Sequence, residues 1–159
     1  MKQVLIDLMA RIETIGDFLH VAVWNNQLDD DEQAYSLPAC FIEIENNADS
    51  IQLGGGFQLY EVVVNFHIIH ENYNNVYDNT SQDLLIYDLK QKVYESIQGF
   101  EPNGCVAFVK INEVQDDNHT NIVHYQMSFD TNIIDSTKEK YNKLLTNTPT
   151  TLIINGTFN

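Results

Sequence analysis

Hydrophobic residues near the N-terminus recur at intervals of three and four positions, which is the spacing of one face of a helix. They are Val4, Leu5, Leu8, Met9, Ile12 and Ile15. We predict an amphipathic helix over roughly residues 2–14 that ends at Gly16. A second stripe with the same spacing consists of Leu85, Leu89, Val93 and Ile97. It predicts another helix, which Thr80 or Ser81 can cap and which Gly99 ends.

Strand-like patterns occupy most of the remaining chain, and they are marked by alternation of apolar and polar residues. The predicted strands cover residues 18–24, 39–46, 57–70, 105–114 and 122–134. The longest of them would extend about 45 Å at roughly 3.3 Å per residue. We therefore expect it to project beyond the core or to cross a subunit contact.

The two long faces of this strand differ in character. One face is apolar and consists of Tyr60, Val62, Val64, Phe66 and Ile68. The opposite face mixes Glu61, Asn65 and His67 with apolar residues. Such a mixed face is typical of an antiparallel sheet that is partly wet on one side.

The elements follow one another in the order α-β-β-β-α-β-β, without a run of alternating strands and helices. This order argues against a doubly wound parallel sheet. We predict an α+β fold, in which an antiparallel β-sheet carries both helices on one face and the last two strands form a hairpin. Residues 1–134 form one domain in this interpretation. Residues 135–159 form a C-terminal extension that either docks on a neighbouring subunit, for example at a sheet edge, or frays.

The charge of the chain is strongly acidic, with 8 Lys and Arg against 23 Asp and Glu and a formal net charge of −15 over 159 residues. Such a surface repels the phosphates of nucleic acids, so a protein that grips DNA or RNA is disfavoured. Passage of DNA without adhesion is compatible with it.

The compartment is indicated by the cysteines and by the hydropathy of the chain. Cys40 and Cys105 are far apart in sequence, which is typical of buried thiols in a reducing compartment, and a disulfide is the alternative. No window approaches the roughly 18 apolar residues of a membrane span, and the N-terminus lacks the apolar core of a signal peptide. We expect a soluble protein made in the cytosol.

The stretch "GGGFQLYEVVVNFHIIHE" contains two patterns that suggest chemistry. A phosphate loop needs a strand before its glycines, a helix after them and usually a lysine, whereas here a strand follows and no lysine is near. His67 and His70 lie three apart on a strand, so they point to opposite faces and do not chelate one ion. We predict that His70 and Glu71 lie in solvent at the strand end, and that His20 and His124 have structural roles.

The remaining candidates for chemistry are acidic loops and nucleophiles. The segment "LDDDEQ" lacks the alternating oxygen ligands and the glycine of a calcium loop, and "DDNH" falls at the predicted hairpin tip. No Gly-x-Ser-x-Gly motif occurs, and no base is tied by sequence to either cysteine. We therefore predict a protein that is not an enzyme and has no catalytic residues, no metal and no cofactor.

The layout of residues 1–134 resembles the tail terminator, or tail completion, and neck proteins of tailed bacteriophages. The resemblance is carried by the N-terminal helix, the strand "SLPACFIEIEN", the glycine-containing loop and strand "GGGFQLYEVVVNFHII", the segment "DNTSQDLLIYDLKQKVYESI" and the strand "VHYQMSFDTNIID". The resemblance rests on the order of the elements, their lengths and their general residue patterns, because no diagnostic motif is present.

The resemblance implies a virion protein that is assembled in the host cytoplasm as a homo-oligomeric ring, commonly sixfold. Such a ring caps the tail tube or joins it to the neck, and DNA passes through it without specific binding. The candidate lumen or subunit contacts are Asp29, Asp30, Asp31, Glu32, Gly54, Gly55 and Gly56. A non-catalytic adaptor or binding module, such as another neck or baseplate component, is the alternative hypothesis, and an enzyme is the third.

Overall fold

The computed structural model describes residues 2–28, 35–45, 50–54, 57–71, 84–116 and 121–135. In these ranges the chain forms two helices, α1 (Lys2–Glu13) and α2 (Leu85–Ile97). The strands are β1 (His20–Val23), β2 (Ala39–Glu45), β3 (Ser50–Gly54), β4 (Phe57–Glu71), β5 (Val109–Asp116) and β6 (Ile122–Asp135). The predicted α+β class and the predicted order of helices and strands are confirmed.

All six strands belong to one sheet, in the order β1-β2-β4-β6-β5, with β3 paired to β4. The neighbours are antiparallel, except that β1 lies parallel to β2. The long strand β4 is central, because β6 pairs with it from Gln58 to Glu71. On its other side β4 pairs first with β3 and then with β2. A 15-residue strand thus has partners along both of its sides.

Two strands differ from the prediction in extent. The structure adds the short strand β3 where a polar loop was expected over residues 46–52. In addition β5 begins at Val109, and Cys105 makes only an isolated bridge to Ile133. The reason is that the backbone of Phe108 is paired elsewhere, since its N–H donates to Phe100 and its carbonyl accepts from Gly99. The chain after α2 therefore folds back on itself before it joins the sheet.

Both helices lie on one face of the sheet, as predicted. The apolar stripe of α1 and the buried residues of α2 pack against the apolar face of β4 in a single core. The largest fully buried side chains of this core include Phe66, Phe108, Phe129, Leu8, Ile12, Leu89 and Ile97. Gly16 and Gly99, which follow the helices, have φ angles of 78° and 76°, and these left-handed conformations are the usual reason for glycine after a helix. The predicted cap residues Thr80 and Ser81 lie outside the described ranges.

The opposite face of the sheet carries a second, smaller apolar cluster. Its buried members are Ala39, Phe41 and Ile69. Side chains from the β1–β2 connection pack on them, namely Trp24, Leu28, Tyr35 and Leu37. The sequence predicted that this face is partly wet. Instead these four side chains cover the C-terminal half of β4 and bury part of the face.

Two further expectations concern solvent and membrane. His70 is buried, with 6% of its surface exposed, so the prediction that it lies in solvent is wrong; its Nδ1 contacts the carbonyl oxygen of Glu71 at 2.7 Å. Neither described helix has the length and apolar character needed to cross a bilayer.

Candidate functional site

The face of the sheet that faces away from α1 and α2, called here the helix-free face, holds the unusual chemistry of this chain. Four of its side chains form a row across four strands: Glu43 from β2, His67 from β4, His124 from β6 and Asp116 from β5. His67 Nδ1 lies 3.0 Å from His124 Nε2. The flanking contacts, from His67 Nε2 to a Glu43 oxygen and from His124 Nδ1 to an Asp116 oxygen, are both 3.3 Å.

Strand register brings these four residues together. In the β4–β6 ladder His67 is opposite Gln126, and His124 is opposite Ile69, so the two histidines are diagonal neighbours on one face. Asp116 is directly opposite His124 in the β5–β6 ladder. A slip of one residue in either ladder would send one partner to the other face and break the row.

Trp24 covers the row. Its indole is stacked on the His67 ring with 4.0 Å between ring centroids and 7° between planes, and it lies 5.9 Å from the His124 ring. His67 and His124 are exposed by only 4% and 5%. Burial, and then the charge on His124, lower the pKa of His67 from 6.5 to about 4, against the opposing influence of the Glu43 carboxylate.

Asn65 connects this row to a second carboxylate. Its side-chain amide donates to Glu43 at 3.0 Å and to Glu45 at 2.6 Å. Asn65 is 1% exposed, so these bonds fix its side chain between two carboxylates that would otherwise repel each other. Asn65 therefore extends the polar contacts from the row to Glu45, near solvent, while Asp116 ends the row on the edge strand β5.

Beyond the cover, the helix-free face is open and acidic. Glu45, Glu61 and Asp130 are exposed there. The basic residues of the described ranges lie elsewhere: Lys2 and Arg11 on α1, Lys90 and Lys92 on α2, and Lys110 on β5 with its ammonium group over the Tyr94 ring of α2. The described lysines and arginines thus all lie on the helix side, whereas carboxylates occur on both faces of the sheet.

Two of the basic residues on the helix side share one carboxylate. Lys90 and Lys110 both form ion pairs with Glu113, and Lys90 also lies 3.8 Å from the centroid of the Tyr125 ring. Burial raises the pKa of Glu113, but the hydrogen bonds from the two lysines outweigh it and hold that pKa below its ordinary value. Lys90, Lys110 and Glu113 line a shallow pocket of about 360 Å³, together with Tyr87, Tyr94 and Met127. The three charged side chains of this pocket are paired with one another.

The residues that the sequence singled out as contacts are only partly described. Asp29, Asp30, Asp31, Glu32, Gly55 and Gly56 lie outside the described ranges. Gly54 ends β3 and pairs with Phe57, which begins β4. Leu28 and Tyr35, which flank the acidic segment, both pack on the helix-free face.

The histidine row was missed by sequence analysis, which assigned His67 and His124 separately. The sequence did hold one signal for this site. His67 and His124 both lie on strands with an alternating pattern, and each has carboxylates nearby in the sequence. Their mutual contact depends on a pairing between residues 57 positions apart. In the described part of the chain, no group of three or more His, Cys, Asp or Glu side chains is arranged to hold a metal ion.

The cysteines are not joined. Cys40 is buried in the main core and Cys105 is half-buried, and both are free thiols. Burial raises the pKa of each thiol, which leaves little of the nucleophilic thiolate at neutral pH.

Comparison with known proteins adds no family to this description. The chain matches no protein-family model, and no curated protein matches its sequence.

Proposed function

We propose that this protein is a ring-forming structural subunit of a phage virion, a tail terminator or head–tail connector that joins the tail tube to the neck. The sixfold ring, the tail-tube and neck partners and the location in the virion come from the resemblance of residues 1–134 to that family. DNA passes through the open centre without specific binding. The protein has no catalytic role in this proposal.

The observation that carries the proposal is that the helix-free face, in the described ranges, presents carboxylates but no lysine or arginine. The open half of the helix-free face presents Glu45, Glu61 and Asp130, while the described lysines and arginines all lie on the helix side. A channel lined with carboxylates keeps the DNA backbone at a distance. We therefore assign the open half of the helix-free face to the lumen.

Ring closure needs two different surfaces on each subunit, and the sheet offers two different ends. β1 lies at one end of the sheet and β5 at the other. On β5, Val109, Ile111 and Val114 are each exposed by half or slightly more, which is uncommon for large apolar side chains on an end strand unless a partner covers them. A contact between unlike ends of neighbouring subunits is heterologous, and it closes into a ring when the rotation is right.

Electron microscopy and native mass spectrometry of the full chain test the assembly, over a series of protein and Mg²⁺ concentrations. We expect rings with an open centre and one dominant mass. Monomers or dimers under every condition would contradict the proposal.

The lumen assignment has its own test in the double variant Glu61→Lys and Asp130→Lys. We expect its rings to retain linear double-stranded DNA but not closed circular DNA, since only DNA with a free end can thread a closed ring. The matched control, Asp88→Lys with Glu95→Lys, makes the same charge change on exposed positions of α2. Equal retention of linear and circular DNA by the first variant would place its new charges outside the lumen.

The exposed apolar residues of β5 also favour a second candidate, a non-catalytic adaptor that accepts one partner strand at this end of the sheet. A stable monomer whose β5 amides become protected from hydrogen exchange only when a virion component is added would support the adaptor over the ring.

A further inference from the structure

The row Glu43–His67–His124–Asp116 contains three contacts that each need a hydrogen-bond donor. Two neutral histidines cannot supply three N–H groups. The two ring–carboxylate contacts each require an N–H from a ring, and the contact between the rings requires one more. Two neutral imidazoles supply two N–H groups in total. One of the three contacts would then set a ring lone pair against an acceptor.

A single additional proton satisfies each of these three contacts. His67 Nε2–H then donates to Glu43, His124 Nδ1–H donates to Asp116, and the third N–H lies between the two rings at 3.0 Å. Two additional protons supply four N–H groups, and two of them would face each other across that same contact. The heavy-atom geometry therefore fits a pair of rings with one positive charge between two carboxylates.

We propose that this row is a binding site for one proton, which His67 and His124 share at neutral pH, and that entry of a second proton separates the rings and releases Trp24 from His67. The device is independent of the proposed assembly, since it lies within one subunit.

The surroundings favour the first proton and oppose the second. The charged groups beside the pair, in the described part of the chain, are the carboxylates Glu43, Glu45 and Asp116. The stacked Trp24 indole also stabilises a cationic ring through its π-face. The other titratable groups packed against the cover are His20 and Tyr35, which contact Phe41 at centroid distances of 5.5 Å and 5.1 Å. Burial and the charge on His124 lower the pKa of His67 to about 4, so the second proton enters only in acid.

Trp24 is the only tryptophan in the chain, so its fluorescence reports on the row without a label. Long-range ¹H–¹⁵N NMR of the histidine rings counts the protons directly. At pH 7 we expect the His67–His124 pair to carry three N–H protons, with intermediate ¹⁵N shifts on the two facing nitrogens. Near pH 4 we expect a fourth proton and a shift of Trp24 emission to longer wavelength. Helical circular dichroism should be unchanged over that step.

Two variants make the test specific. Glu43→Gln keeps a hydrogen-bond acceptor for His67 but removes a charge, so the shared proton should be lost at a pH lower by about one unit, a tenfold weaker affinity. His20→Gln removes a histidine beside the cover that has no part in the row, and it should leave both steps unchanged.

Several results would overturn the proposal. One is a pair that is neutral at pH 7, or two rings that each titrate independently near the ordinary histidine value of about 6.5. Another is an emission shift of Trp24 that coincides with loss of the helical signal, since that would report only global unfolding. If Glu43→Gln leaves the NMR titration unchanged, the carboxylate does not hold the proton.

Discussion

The two faces of the sheet are stabilised by different physics. The face under α1 and α2 is a continuous apolar core in which Phe66 meets Phe129 edge-on at 5.5 Å. The helix-free face has a small apolar cluster and a row of polar contacts that run from strand to strand. Apolar burial is non-directional and scales with area, whereas the polar row depends on distances, register and protonation. The first face should therefore respond mainly to lost volume and the second mainly to pH.

The largest effect should come from a cavity in the helix-covered face. Phe66 has no exposed surface, and Phe66→Ala should destabilise the fold by about 3–5 kcal/mol, because it removes a ring and leaves a void. Urea unfolding followed by circular dichroism measures it. The loss of stability should be the same at pH 7 and pH 5. A strongly pH-dependent loss would contradict the view that this face responds mainly to lost volume.

Acid should act next, through the helix-free face. The pKa of His67 is lowered from 6.5 to about 4 in the folded chain, so the unfolded chain binds more protons between these values. Stability therefore falls as the pH drops from 6.5 towards 4, by about 3 kcal/mol in total at roughly 1.4 kcal/mol per pKa unit. Urea unfolding at several pH values measures this slope.

The matched variant for this pH effect is His67→Gln. It should remove most of the slope, because glutamine does not titrate. The Phe66→Ala variant should keep the slope, since its own effect lies on the other face. A slope that survives in His67→Gln would assign the acid response to other groups.

Removal of the cover should have a smaller effect. Trp24→Ala should cost about 2 kcal/mol from lost apolar contact with Phe41 and the His67 ring, and it should bring the titration of His67 closer to 6.5 as water reaches the ring. NMR titration of the His67 side chain measures the change. An unchanged midpoint would show that the burial of His67 does not depend on Trp24.

The smallest effect should arise at the end of α2, on the helix-covered side. Gly99 has φ = 76° and open space around its position for a Cβ atom, so Gly99→Ala should destabilise by about 1 kcal/mol from backbone strain alone. Thermal unfolding measures it. The matched control Glu101→Ala changes an exposed neighbour whose φ is not positive, and it should not carry this strain. A loss of several kcal/mol in Gly99→Ala would point to a packing conflict that the structure does not contain.

Local periodicity was enough to predict the elements. The stripes of α1 and α2 and the alternation of β4 lie within single segments, where each face is set by the next few residues. The same holds for β2, in which Cys40 and Ile42 lie in the main core and Phe41 lies on the helix-free face.

The pairing of β1 with β2 could not be predicted in the same way. β1 and β2 are parallel, and no local pattern within either strand specifies this direction. β3 pairs beside β4 although its own segment reads as polar and glycine-rich. Both outcomes depend on partner strands rather than on a local pattern.

Sequence by itself thus determined the class, the order of the predicted elements and the apolar faces of α1, α2 and β4, because these properties follow from spacing along the chain. The tertiary structure alone decided that His67 meets His124, that Glu43 and Asp116 flank them, and that Trp24 covers them. The physical reason is that a hydrogen bond needs its two atoms within about 3 Å. Side chains from four strands meet this condition only after the register of every strand pair has been set.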